Sequence, residues 1–203
     1  MIRLWHDLIM ASHGDLSPEL KKIREKHRHF YLSVYTSTDA LTNGYACGGG
    51  LDIGLNEAGI EDARKLSRRF KNNPIHVKKV VAGPELRTIQ LADFLHDSVK
   101  GKIVIYREFA DQYLGDWEGK TIVADVDVTN PPRGETHSDF SVRVLNGLVR
   151  MLQDDQLSLL ATHPRVARMI FTWIGLGKEA IKPGVVYSVD LPEGMGIARF
   201  HEV

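Results

Sequence analysis

The 203-residue chain has one cysteine, Cys47, so no disulfide can form within it, and a reducing cytoplasm is the default compartment. Net charge is also missing: 26 basic side chains face 26 acidic ones. No global field therefore favours nucleic acid or an anionic membrane, and any attraction for anions has to be local. Long hydrophobic runs are absent too. The amino-terminal "MIRLWHDLIMASHGDL" is broken by His6 and Asp7, is too short to span a bilayer, and lacks the unbroken apolar core of a cleavable signal. No repeat or low-complexity tract occurs. The pairs His6 with His13 and His27 with His29 lack clustered carboxylate or cysteine partners, so neither metal nor cofactor is expected. "YACGGG" around Cys47 offers no flanking base that would activate a thiol, and Cys47 reads as a small buried or loop residue.

What is present describes an ordinary globular domain: 43% hydrophobic and 26% charged residues, with 18 glycines. Short runs rich in β-branched and aromatic residues, "FYLSV", "VKKVVA", "KIVIY", "LSLLAT" and "VVYSVDL", predict strands. Helical periods alternate with them. "LNEAGIEDARKLSRRF" sets Ile60, Ala63, Leu66 and Phe70 on one stripe; "PELRTIQLADFLHD" opens with Pro84 in its first turn and is expected to bury Leu86, Ile89 and Phe94. "SDFSVRVLNGLVRML" carries Phe140, Val144, Leu148 and Leu152, and "PRVARMIFTWIG" carries Val166, Met169 or Ile170, and Trp173, stopping at Gly175. Alternating strands and helices predict an α/β fold, a mostly parallel central sheet covered by helices on both faces. Residues 1–28, with a helix expected over "SPELKKIREKH", form an arm ahead of a domain spanning 29–203, and Lys120 to Glu135 reads as a long loop able to wall or cover a site.

Three features suggest chemistry. His163 in "LLATHPRV" stands at the carboxyl end of a predicted strand, just before a helix, where open α/β sheets bind ligands. Arg87 in "GPELRTIQ" opens the helix after another strand, adding a bidentate donor to the free N–H groups of a helix start, a combination suited to phosphate. Acidic groups in "YREFADQYLGDWEGKT" follow a third strand, and a carboxylic acid beside a phosphate could protonate a leaving alkoxide.

Taken in order, "LNEAG", "ELRTIQLA", "LGDWEGKT", "RGETHSDF" and "LLATHPRVARMI" resemble the histidine phosphatase superfamily, also called phosphoglycerate-mutase-like, from about Phe30 to the carboxyl terminus. The resemblance implies a three-layer α/β fold, Arg87 as a pocket arginine and His163 as the second histidine, which hydrogen-bonds the transferring phosphoryl group. Counting back from Gly115 without gaps puts Asp111 at the family's proton donor. Keeping an arginine-glutamate pair selects Glu108 instead and needs two inserted residues; of the two, Asp111 is preferred.

The family's first histidine, which attacks phosphorus, has no counterpart where it is expected. Aligning "FYLSVYTST" with the family's first strand and loop puts Val34 at the arginine, Tyr35 at the nucleophile and Thr36 at the glycine of the Arg-His-Gly motif. A phenol ionises near 10 and an aryl phosphate leaves less readily than protonated imidazole, so covalent turnover is expected to stall. Tyr35, Thr36 and Thr38 could still donate hydrogen bonds to phosphate, and Asn43, Gly44 and Asp52 fall close to the family's loop positions. The rival placement uses "LIMASHGDL", where His13-Gly14 keeps half the motif. Pro164 has no N–H to offer where many relatives have glycine, and Arg165 beside it could restore charge missing at Val34. The expected partner is a phosphorylated small molecule or phosphopeptide, bound with impaired catalysis. The alternatives are an active phosphomonoesterase using His13, His163 or an activated water, and a partner-binding scaffold.

Overall fold

The computed structural model describes residues 25–72, 74–121, 129–174, 176, 181–194 and 198–203. Gly175, His13, and Ser17 to Arg24 of the expected first helix lie outside them, as do residues 122–128 of the long loop. In chain order the elements are β1 (Arg28–Val34), α1 (Asp39–Asn43), α2 (Glu57–Asn72), β2 (Lys79–Ala82), α3 (Leu86–Val99), β3 (Lys102–Ile105), α4 (His137–Gln153), β4 (Ser158–Thr162), α5 (Pro164–Trp173), β5 (Val186–Leu191) and β6 (Arg199–Glu202). Short 3-10 turns at Arg107–Phe109 and Gly115–Trp117 follow β3.

The sheet runs β3-β2-β4-β1-β5-β6. β1, β2, β3 and β4 are parallel, and β5 pairs antiparallel with both β1 and β6. Strands buried on both faces read as near-continuous apolar runs, which is how β2 and β4 are written. Alternation then divides the core. Phe30, Leu32, Val34, Val81 and Leu160 pack under α4 and α5, while Val80, Ala82, Leu159 and Tyr35 pack under α2 and α3. Val34 therefore points into apolar packing on the opposite face from Tyr35.

α4 buries Phe140, Val144, Leu148 and Leu152, the expected stripe. α3 differs. Its buried face is Arg87, Thr88, Leu91, Ala92 and Leu95, while Leu86 is exposed and Ile89 and Phe94 are only partly covered. The rotation follows from Arg87, whose guanidinium is drawn inward by polar partners and turns Leu86 outward. The helix also starts later than its proline suggests. Glu85 is its extended N-cap, which leaves Pro84 ahead of the helix. The edge strand β6 has no signal in the sequence beyond four residues of mixed polarity. Among the described residues no helix is long and apolar enough to cross a membrane.

Candidate active site

Strand register assembles the site. β1 and β4 lie side by side with Val34 opposite Thr162, so the next residues, Tyr35 and His163, emerge together at the carboxyl edge of the sheet. Their rings meet edge to face, with centroids 5.7 Å apart. Ala82 of β2 lies opposite Ala161, which brings the Gly83–Arg87 turn alongside His163; Ile105 of β3 lies opposite Ala82, and the chain after it delivers Asp111. This edge is where parallel sheets present ligand-binding residues.

His163 is the N-cap of α5, with Pro164 in the first turn, and is fully buried. Its Nε2 lies 2.8 Å from Glu85 Oε2. An ionised carboxylate only accepts, so Nε2 carries the proton there. The other nitrogen, Nδ1, has no hydrogen-bond partner and lies 3.6 Å from Asp111 Oδ2. The second Glu85 oxygen accepts the Asp111 N–H at 3.1 Å, tying the two acidic segments together.

Arg87 is completely buried as well. Its Nη1 donates to the Leu51 carbonyl and its Nη2 to the Gly48 carbonyl, each at 3.0 Å, and Nη2 is 3.6 Å from Asp111 Oδ2. Arg165 donates to the Cys47 carbonyl at 3.0 Å and to Asp111 Oδ2 at 3.3 Å. Two guanidinium groups thus converge on the Asp111 carboxylate, while Glu85 pairs with His163.

The electrostatics follow from this packing. Burial pushes the Asp111 carboxyl up, but His163, Arg165 and Arg87 outweigh it and hold the group below the usual aspartate value. Tyr35 moves the other way. Burial first and Asp111 second drive its phenol far above its ordinary 10.0, against Arg87, which draws it down. The Cys47 thiol is also raised, chiefly by burial.

Tyr35, Arg87, Asp111, His163 and Arg165 are brought together, whereas the other expected residues stand apart. Glu108 binds Arg150 at 2.9 Å, with neither group in the cluster. Thr38 caps α1 by accepting the Leu41 N–H, and Asn43 bonds the Asp39 carbonyl at the exposed end of the same turn. Thr36 lines a shallow crevice, with Leu55, Ala63, Leu66 and Leu91, on the α2 and α3 side. The segment Cys47–Leu51 lies over Arg87, two of its carbonyls accepting from the guanidinium. Glu85 and this segment escaped sequence reasoning. The signals available were an acid two residues before Arg87 and three consecutive glycines.

The family profile of the histidine phosphatase superfamily (branch 1) matches residues 37–184, most of the chain. The chain belongs to the histidine phosphatase superfamily. The matched stretch of this superfamily member begins directly after Val34-Tyr35-Thr36. Among solved structures, phosphoglycerate mutase from Bacillus anthracis is similar with TM-score 0.72 at 17% identity, over 90% of this chain and 95% of that one. Alpha-ribazole phosphatase from Shigella flexneri is similar with TM-score 0.71 at 21% identity, over 86% and 95%. A protein described as an alpha-ribazole-5'-P phosphatase candidate from Escherichia coli is similar with TM-score 0.72 at 20% identity, over 87% and 95%. At these identities the likeness establishes the superfamily's fold. No curated protein sequence matches the chain.

Proposed function

We propose that this superfamily member is a catalytically impaired phosphatase-fold protein of the cytoplasm, whose Arg87–His163–Asp111 cluster takes the phosphate group of a phosphorylated small molecule or phosphopeptide weakly and without turnover. The observation that carries this reading is Tyr35. Its ring occupies the end of β1, edge-on to His163, where the superfamily's attacking histidine is expected. With its ionisation pushed upward by burial, the phenol stays protonated at neutral pH and is a poor nucleophile. Asp111 adds to this: held as a carboxylate, it lacks the proton a leaving alkoxide would need.

Weak binding follows from donors already in use. Nη1 and Nη2 of Arg87 and Nη1 of Arg165 have acceptors, and only Nε of Arg87 is buried without one, so a phosphate must displace backbone carbonyls to engage the guanidinium forks. The complete burial of Arg87 and His163 favours a second reading, a partner-binding scaffold in which the cluster only holds loops together. An aryl phosphate, offered with and without chelator, should give no turnover, and vanadate should raise the melting temperature by a small amount. Turnover lost on His163→Ala would refute impairment; a melting temperature unmoved by vanadate would leave the scaffold reading.

A further inference from the structure

We infer that Cys47–Leu51 is a self-supplied plug, a three-glycine segment whose backbone carbonyls occupy the anion site and whose closed position is held from outside by Glu118. This rests on the reading above, that the cluster beneath is an anion site. The peptide groups of the segment are oriented alike. Gly48 N–H and Gly50 N–H donate outward to the two oxygens of Glu118 at 2.8 and 2.9 Å. The carbonyls of Cys47, Gly48 and Leu51 face inward to Arg165 and Arg87, each at 3.0 Å. Peptide dipoles thus run from a carboxylate outside to guanidinium groups inside, and each charge favours the orientation the other needs. Glu118 is itself fixed by the Leu114 N–H at 2.9 Å, so the latch is anchored to the chain that carries Asp111.

Glycine is what lets the segment lie this close. A Cβ on Gly48 would stand 2.1 Å from the Gln112 carbonyl oxygen, and one on Gly49 2.6 Å from that of Asp111. Gly49 N–H also donates to the Gln112 carbonyl at 2.9 Å, so the plug pairs with the 111–114 segment as well as with Glu118. Both ends are tied down. Ala46 exchanges backbone hydrogen bonds with Lys120 and Gly119, and Asp52 accepts the Leu86 N–H at 2.7 Å. Between these anchors the segment can swing out as a unit. A backbone carbonyl is a neutral acceptor, whereas phosphate makes charge-assisted, bidentate bonds to guanidinium, so an anion can compete for Arg87 once the outer latch is loosened.

The experiment uses the full chain, the lone thiol of Cys47 and inorganic phosphate. Cys47 lies in the plug, partly buried, with Sγ 3.6 Å from the Leu51 carbonyl, so a rise in its rate of reaction with a thiol reagent reports opening. Glu118→Gln weakens two bonds to a charged acceptor, and Cys47 should then label on the order of tenfold faster, with phosphate raising the melting temperature more than it does in the unaltered protein. Labelling at the unaltered rate in a folded Glu118→Gln protein overturns the plug, whatever phosphate does. Faster labelling with no phosphate shift in either protein overturns the anion site beneath it instead. Should Glu118→Gln fail to fold, Tyr113→Ala, which removes a half-exposed ring lying against Gly50, gives the same two readouts under the same criteria.

Discussion

Replacing Asp111 by asparagine tests the buried cluster most directly, because the change keeps the shape and removes one charge. The Asp111 side chain is 3% exposed, and its Oδ2 faces three cationic or donor groups: Arg165 at 3.3 Å, and Arg87 and His163 at 3.6 Å. Breaking a buried charge pair from one side costs about 3–5 kcal/mol. Here the lower end applies. Arg87 keeps two carbonyls and Arg165 keeps one, so neither guanidinium is left bare. The expected loss is about 3 kcal/mol at neutral pH, or roughly 6–12 °C in melting temperature for a chain of this length. The pH dependence has a definite sign. A carboxyl whose folded value is depressed contributes stability above its unfolded value near 3.9, and that contribution disappears as pH falls through the lower folded value. Denaturant midpoints of Asp111→Asn and the unaltered protein should therefore stay separated by a constant amount down to about pH 4 and converge below it. A neutral-pH difference under about 0.5 kcal/mol, typical of a surface site, would refute the cluster as described, as would a difference unchanged through the acid range.

Other outcomes follow from the same geometry. Glu85→Gln keeps an acceptor for His163 Nε2 but removes its charge, and should cost about 1–3 kcal/mol in chemical denaturation; an unaltered midpoint would mean that the 2.8 Å contact carries no weight. Arg87→Lys replaces a planar fork by a point donor that cannot serve the Leu51 and Gly48 carbonyls together, and a loss of about 1–3 kcal/mol is expected from the acceptor left unpaired. Gly49→Ala meets the Asp111 main chain, whereas Gly50→Ala meets the Tyr113 ring, which is 46% exposed and can swing aside. Gly49→Ala should therefore lower the melting temperature more, and the reverse order would contradict the packing of the plug.

Much of the scaffold was legible in the sequence because it is written in local periodicity. The β-branched runs of β1 to β5 and the stripe of α4 depend on which residues tolerate a pleated or a helical surface, and that preference is expressed within a few residues. Where a distant polar partner intervened, the local reading slipped, as at α3, whose face is rotated by the inward pull on Arg87. β6 was unreadable since an edge strand on a half-solvated face needs no marked pattern.

At the site, the ordered motifs named Arg87, Asp111 and His163, and a phenol where an imidazole was expected, from residue identity and spacing alone. Tertiary structure decided what those residues face. That Arg87 is occupied by the carbonyls of Leu51 and Gly48, that His163 leans on Glu85, and that Glu108 belongs to Arg150 are matters of backbone orientation between segments far apart in the chain. A sequence records which side chains are available, but every residue brings the same carbonyl and, proline apart, the same N–H; only the folded path determines where those groups point.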